Sequence, residues 1–203
     1  LPALVLLLDA FGNRLGANPV EALLHGTGDW TLRLLLVTLA VTPLRRITGW
    51  ASLVRLRRML GLFAFFYATL HFITYIWLDQ FFAWGAIVED VLKRPYITVG
   101  FAAFLLMVPL AITSTRWWRK RLGRNWKRLH QTVYFIAPLA VLHFAMSKKG
   151  DIFTLQGDVV RPLIYGLVVL ILLILRIPRI RKFFPETWAC NAMTTPTMMN
   201  ISV

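Results

Sequence analysis

Residues 124–144 read Arg-Asn-Trp-Lys-Arg-Leu-His130-Gln-Thr-Val-Tyr-Phe-Ile-Ala-Pro-Leu-Ala-Val-Leu-His143-Phe. The stretch starts in a basic cluster and is apolar from about Thr132 to Met146, with His143 its only side chain that titrates near neutrality. Two imidazoles therefore stand thirteen residues apart on one helical segment, His130 at its basic edge and His143 deep in its apolar part. Burying an imidazole in hydrocarbon without a partner costs on the order of a few kcal/mol, so a histidine at that depth is a functional-site candidate. Neutral imidazole is also a common axial ligand of haem iron. The stretch reads as a haem-carrying transmembrane helix.

Composition agrees with a membrane setting. The 203 residues are 58% hydrophobic, with 8 Trp and 14 Phe, and the mean hydropathy is +0.63, a balance of helical membrane proteins rather than soluble domains. The expected fold class is all-α: a polytopic bundle of about six spans, the first truncated, forming one domain over residues 1–182, with residues 183–203 a disordered tail. The net charge of +14 would suggest nucleic acid in a soluble protein. Here the basic residues sit between apolar runs, which is topology, so no nucleic-acid partner is expected. A single cysteine, Cys190, excludes a disulfide framework or a Cys-ligated cluster within one chain.

Residues 1–10 are apolar but shorter than the roughly 20 residues a span requires. They read either as the outer end of a first span whose beginning is missing or as a clipped signal-peptide remnant. Residues 12–30, with Asn18-Pro19, His25 and Gly26-Thr27-Gly28, read as a polar loop. The second span is placed at about 31–44, the third at 59–82 around His71, the fourth at 96–113, the fifth is the opening stretch, and the sixth lies at 162–177. Lys and Arg number five in 45–58, seven in 116–128 and four in 176–182, against six over the alternate loops. The richer set is expected to be cytoplasmic, with the C-terminus, so spans three and five run outward in the same sense.

His71 lies fourteen residues beyond Arg57, and His143 thirteen beyond His130. At about 1.5 Å per residue both upper histidines stand roughly 20 Å above the lower positions. Level imidazoles on two parallel helices would supply both axial ligands of one haem b. Gly61, Ala64, Ala68, His71 and Tyr75 form a stripe of mostly small residues that either makes room for a flat ring or lets helices pack closely. Thirteen steps put His130 and His143 about 140° apart on an ideal helix, which a kink at Pro138 could correct. His130 is either a ligand or a solvated interfacial side chain, and His25 is expected to have a surface role or a partner contact. Arg57, Arg58, Lys127 and Arg128 form a basic ring suited to haem propionates or a flavin phosphate, or to topology and anionic membrane lipid. No Gly-rich fingerprint marks a nicotinamide-binding module.

Several motifs carry a family resemblance: Arg-Arg-Met-Leu-Gly-Leu before span three, Ala-Thr-Leu-His71-Phe-Ile-Thr-Tyr within it, Arg94-Pro-Tyr-Ile-Thr-Val-Gly, Leu-Ala-Ile-Thr-Ser-Thr and Leu-Gly-Arg-Asn-Trp-Lys-Arg-Leu-His130. Over about residues 14–182 the chain resembles the MsrQ (YedZ) family of haem-binding membrane subunits, kin to the ferric reductase-like transmembrane domain. The resemblance implies a bacterial inner-membrane protein with haem b and FMN. It also implies that electrons pass to a periplasmic molybdopterin reductase, MsrP, which repairs oxidised methionine in envelope proteins. In the kindred fold a second histidine would stand where this chain has Arg57. One or two haems b are therefore expected; a second, if present, would be held by His130 with a weak, absent or non-histidine sixth ligand, and Arg57 would contact it or serve a propionate instead.

The leading expectation is an electron-transfer subunit supplied by a cytoplasmic flavin reductase or by quinol. A stand-alone ferric or quinone reductase is one rival. A haem-free transporter or scaffold, with His71 and His143 lining a polar pathway, is the other. Loops 79–94 and 147–161 are expected to dock the acceptor, with Glu89 and Asp90 as contacts.

Overall fold

The computed structural model describes residues 2–12, 14, 16–148 and 160–176, and among these it is helical with no strand. Helix α1 is Pro2–Phe11 and α2 is Pro19–Thr48. The start of α2 is set by Asn18, whose Oδ1 accepts the Glu21 N–H at 3.2 Å while its Nδ2 donates to Glu21 Oε2 at 3.0 Å. Pro19 follows at the first helical position, where its missing N–H costs nothing. Expecting a loop over 12–30 was therefore wrong: from Pro19 onward the chain is helix, and His25, Gly26 and Gly28 lie on it. The helix that holds the stretch expected as a second span, 31–44, is likewise longer, Pro19–Thr48. Inside α2 the hydroxyls of Thr27, Thr31 and Thr38 donate to carbonyls one turn back, which satisfies them without water. Leu32, Leu35, Leu36 and Leu39 form its buried seam.

Helix α3, Leu53–Ile73, continues as a π-helical turn over Thr74–Asp79, closed by Gln80 N–H on the Tyr75 carbonyl at 3.0 Å. It stops at Phe81 and Phe82, both in the left-handed region (φ 47° and 59°), so the third span ends short of residue 82. The segment 79–94, expected to be a loop, contains helix α4, Trp84–Lys93. Helix α5 is Pro95–Ile112, and α6, Arg116–Leu122, leads through Gly123 (φ +51°) to α7, Arg124–His130. Helix α8 is Val133–Ser147 and α9 is Val160–Ile174. The opening stretch is thus interrupted at Gln131–Thr132, where Thr132 N–H and its hydroxyl both turn onto the Leu129 carbonyl. The tail 183–203 and most of the 147–161 loop lie outside the described residues.

Three described stretches are long and apolar enough to cross a membrane: Arg55–Asp79, Pro95–Ile112 and Arg124–Ser147, with mean hydropathies of 1.6, 2.0 and 1.3. At about 1.5 Å per residue they match or approach the roughly 30 Å hydrocarbon layer. Helix α2 is longer, but charged residues flank its apolar middle, and α9 is apolar but has 15 residues. Of the expected fold, the coarser part stands: among the described residues the chain is an all-helical bundle with three helices of membrane-spanning length. Helix α2 packs along α3 and α5 along α8, around Leu39, Ala64, Ile136 and Ala137, all essentially inaccessible to solvent. Arg176 locks α9 to this core: Nη1 donates to Tyr134 Oη at 2.5 Å and Nη2 to the Leu39 carbonyl at 2.6 Å.

Candidate functional site

The structure brings His71 of α3 and His143 of α8 together edge-on, with ring centroids 6.0 Å apart and planes at 77°. Both half-buried rings line a cavity of 810 Å³ that opens toward the acidic end of the bundle, within the size range of about 300–1,000 Å³ common for ligand sites. Its apolar walls include Phe72, Phe101, Phe104 and Met107. The rings of Phe72 and Phe104 stack at 4.7 Å.

Each imidazole is held in the same way. His71 Nδ1 lies 2.9 Å from the Leu24 carbonyl of α2, and His143 Nδ1 lies 2.7 Å from the Tyr96 carbonyl of α5. A carbonyl only accepts, so in the neutral ring Nδ1 carries the proton and Nε2 keeps a free lone pair. A second partner on the far ring nitrogen is the usual arrangement for a metal-binding histidine. Four residues after each accepting carbonyl stands a glycine. A Cβ on Gly28 would come 3.2 Å from His71 Nδ1 and Cε1, and one on Gly100 would come 2.6 Å from His143 Nδ1. Positions i and i+4 overlie one another on a helix face. The glycine therefore bares the carbonyl, whose second lone pair the imidazole takes.

The three pairs His71/His143, Leu24/Tyr96 and Gly28/Gly100 are each 72 residues apart. The α2–α3 and α5–α8 pairs thus present two equivalent halves of one site. The glycines and the two carbonyls went unnoticed in the sequence reading, although the spacing of 43 residues from glycine to histidine occurs twice in the chain.

Two imidazoles at this separation leave room for a metal ion between them. Metal–imidazole bonds of about 2.0–2.1 Å in line, plus about 1 Å from each nitrogen to its ring centre, give centroids about 6 Å apart. The small-residue stripe divides: Ala68 and Ala140 line the cavity. Ala64 belongs to the packed core, and a Cβ on Gly61 would meet only Thr38 of α2, so that half of the stripe serves helix packing.

His130 and Arg57 do not line this cavity. The His130 ring stacks on Trp126 at 4.1 Å, its Nδ1 faces the Trp126 carbonyl at 3.1 Å, and its buried Nε2 has no protein partner. His25, expected in a surface loop, sits on α2 at the cavity mouth, 3.5 Å from Glu21. Asp90, expected to be a docking contact, is turned inward: its carboxylate accepts from Tyr75 Oη at 3.2 Å, Gln80 Nε2 at 3.3 Å and Arg94 Nε at 3.0 Å. Glu89 remains on the outside, paired with Lys93.

Residues 27–141 match the family described as ferric reductase like transmembrane component. Curated relatives include the "Protein-methionine-sulfoxide reductase heme-binding subunit MsrQ" of Herminiimonas arsenicoxydans, 52% identical over 178 residues, 87% of this chain and 79% of that protein. The protein of the same name from Xanthomonas campestris pv. campestris (strain 8004) is 62% identical over 138 residues, 68% of this chain and 63% of the relative. That from Bordetella pertussis is 54% identical over 159 residues, covering 78% and 75%. No solved structure matches the chain.

Proposed function

Because the chain belongs to the ferric reductase like transmembrane family, and within it to the MsrQ haem-binding subunits of protein-methionine-sulfoxide reductases, we propose that it is a b-type cytochrome that carries electrons across the bacterial inner membrane. In this reading the donor is a cytoplasmic flavin reductase or quinol, and the acceptor is a periplasmic MsrP-like molybdopterin enzyme that repairs oxidised methionine. The basic loops face the cytoplasm, the acidic end faces outward, and the chain crosses about six times.

One observation carries the reading: paired imidazoles, each with Nδ1–H given to a helix carbonyl and each backed by a glycine. His71 and His143 would hold one haem b in the outer half. Bound there, the haem supplies a one-electron ferric/ferrous couple. The chain does the rest. Leu24 and Tyr96 keep the two rings in the ligating tautomer and fix their planes. Phe72, Phe101, Phe104 and Met107 exclude water from the site, which insulates it and lowers the local dielectric. Toward the basic end, His130, whose Nε2 is buried without a hydrogen-bond partner, would hold a second haem, with Arg57 serving a propionate. The ring of Arg58, Lys127 and Arg128 suits an FMN phosphate.

Purified protein from haem-replete cells, titrated for haem and examined by visible and electron paramagnetic resonance spectroscopy, tests this. A low-spin bis-imidazole signature that disappears in His71→Ala and in His143→Ala is expected. A folded protein without haem would remove the reading.

A further inference from the structure

Helix α4 covers the mouth of the cavity, yet it has no buried residue. Packing therefore contributes little to holding it there. A polar clasp does so instead. Asp90 accepts one bond from Tyr75, a turn beyond His71 on the same helix, a second from Gln80 and a third from Arg94. Its side chain is 15% exposed, against 59% for Glu89 on the opposite side of α4. Arg94 Nη1 in turn reaches Tyr96 Oη at 3.4 Å. Tyr96 is the residue whose carbonyl receives the His143 Nδ1 proton and whose ring lies 6.4 Å from that imidazole at 29°. A continuous path of side chains thus runs from beside His71, over the cavity mouth, to the residue that orients His143.

We infer that Asp90 is a positioning residue: with Tyr75 and Arg94 it clasps α4 over the cavity, keeps water from the two imidazoles and steadies Tyr96 against His143. The part concerning the cofactor rests on the haem reading above; the part concerning α4 does not. The carboxylate takes two donors from the end of α3, Tyr75 and Gln80, and a third from Arg94 one turn along its own helix, so removing the Tyr75 donor takes away one of the two bonds that tie α4 to α3 and leaves part of the carboxylate's desolvation uncompensated. Water entering beside a buried haem favours the more highly charged ferric state, so loosening the clasp lowers the potential.

Two measurements on the full-length protein in lipid nanodiscs test this. Hydrogen exchange over residues 84–93 is compared in wild type, Tyr75→Phe, Asp90→Asn and Glu89→Gln. The midpoint potential is compared in wild type, Tyr75→Phe and Glu89→Gln, because Tyr75→Phe changes no charge. Both clasp variants are expected to raise α4 exchange at least tenfold. Tyr75→Phe is expected to lower the reduced-to-oxidised ratio at fixed ambient potential about tenfold, equivalent to about 59 mV for one electron. Glu89→Gln, which removes a charge from the exposed side, is expected to change neither, since exposed pairs contribute little. Unchanged exchange in both clasp variants overturns the clasp. Raised exchange with an unchanged potential overturns its link to His143. A haem-free wild type defeats the functional proposal while the exchange comparison still decides the clasp.

Discussion

Gly100→Ala isolates the contact on which His143 depends. The added Cβ would lie 2.6 Å from Nδ1, 2.7 Å from Cε1 and 3.0 Å from Cγ of the imidazole, and the first two are closer than a real Cβ contact permits. The ring cannot retreat without losing the 2.7 Å bond to the Tyr96 carbonyl. Overpacking of this kind costs about 1–3 kcal/mol, and Ala is about 1 kcal/mol better than Gly within a helix. The net is a loss of about 0–2 kcal/mol concentrated on the ligand ring, up to a thirtyfold fall in haem occupancy when haem is limiting. Gly28→Ala, where the nearest approach to His71 is 3.2 Å, is expected to fall by less than Gly100→Ala. The assay is haem-to-protein ratio against added haem, with thermal unfolding of the apoprotein in detergent as the stability control. If Gly100→Ala bound haem as wild type does and unfolded at a higher temperature, helix propensity alone would describe the position, and the cradle argument would be refuted.

His130→Ala is expected to remove only a component toward the basic end and leave the His71/His143 signature intact; low-temperature spectra of the reduced protein read both. Glu89→Lys is expected to slow reduction of the periplasmic partner several-fold at low ionic strength, with the difference shrinking as salt is added, because screening acts on exposed charges; stopped-flow reduction checks it. Arg176→Ala leaves the Leu39 carbonyl and Tyr134 Oη without their donor, so a loss of about 2 kcal/mol is expected in detergent unfolding.

The level pairing of His71 and His143 was legible because depth in a span can be counted from a charged edge at a fixed rise, and both histidines lie thirteen or fourteen residues from such an edge. The identity of their holders was not. Gly26-Thr27-Gly28 resembles a loop in any local reading, yet it lies within a helix, and position 28 is glycine because the His71 ring occupies the space a side chain would need. That requirement comes from a residue 43 positions away, which local pattern cannot show. Asp90 illustrates the same limit. Glu89 and Asp90 are adjacent carboxylates, but about 100° of helical rotation turns one to solvent and the other toward Tyr75 and Arg94. The interruption at Gln131–Thr132 carries no proline or glycine to mark it, whereas Pro138, the one helix breaker in the stretch, lies inside α8, which continues through it. The cap of α2, by contrast, stood in the sequence as Asn18-Pro19-Val20-Glu21 and was outweighed by the glycines that follow.

The central claim is that His71 and His143 hold a haem between them. Haem stoichiometry with a redox titration of the intact protein tests it most directly, with wild type, His71→Ala and His143→Ala measured side by side. The account predicts a low-spin b-type component in wild type that titrates as a single one-electron couple and is absent from both variants. A variant lacking either imidazole that kept that component at full stoichiometry and unchanged potential would contradict it.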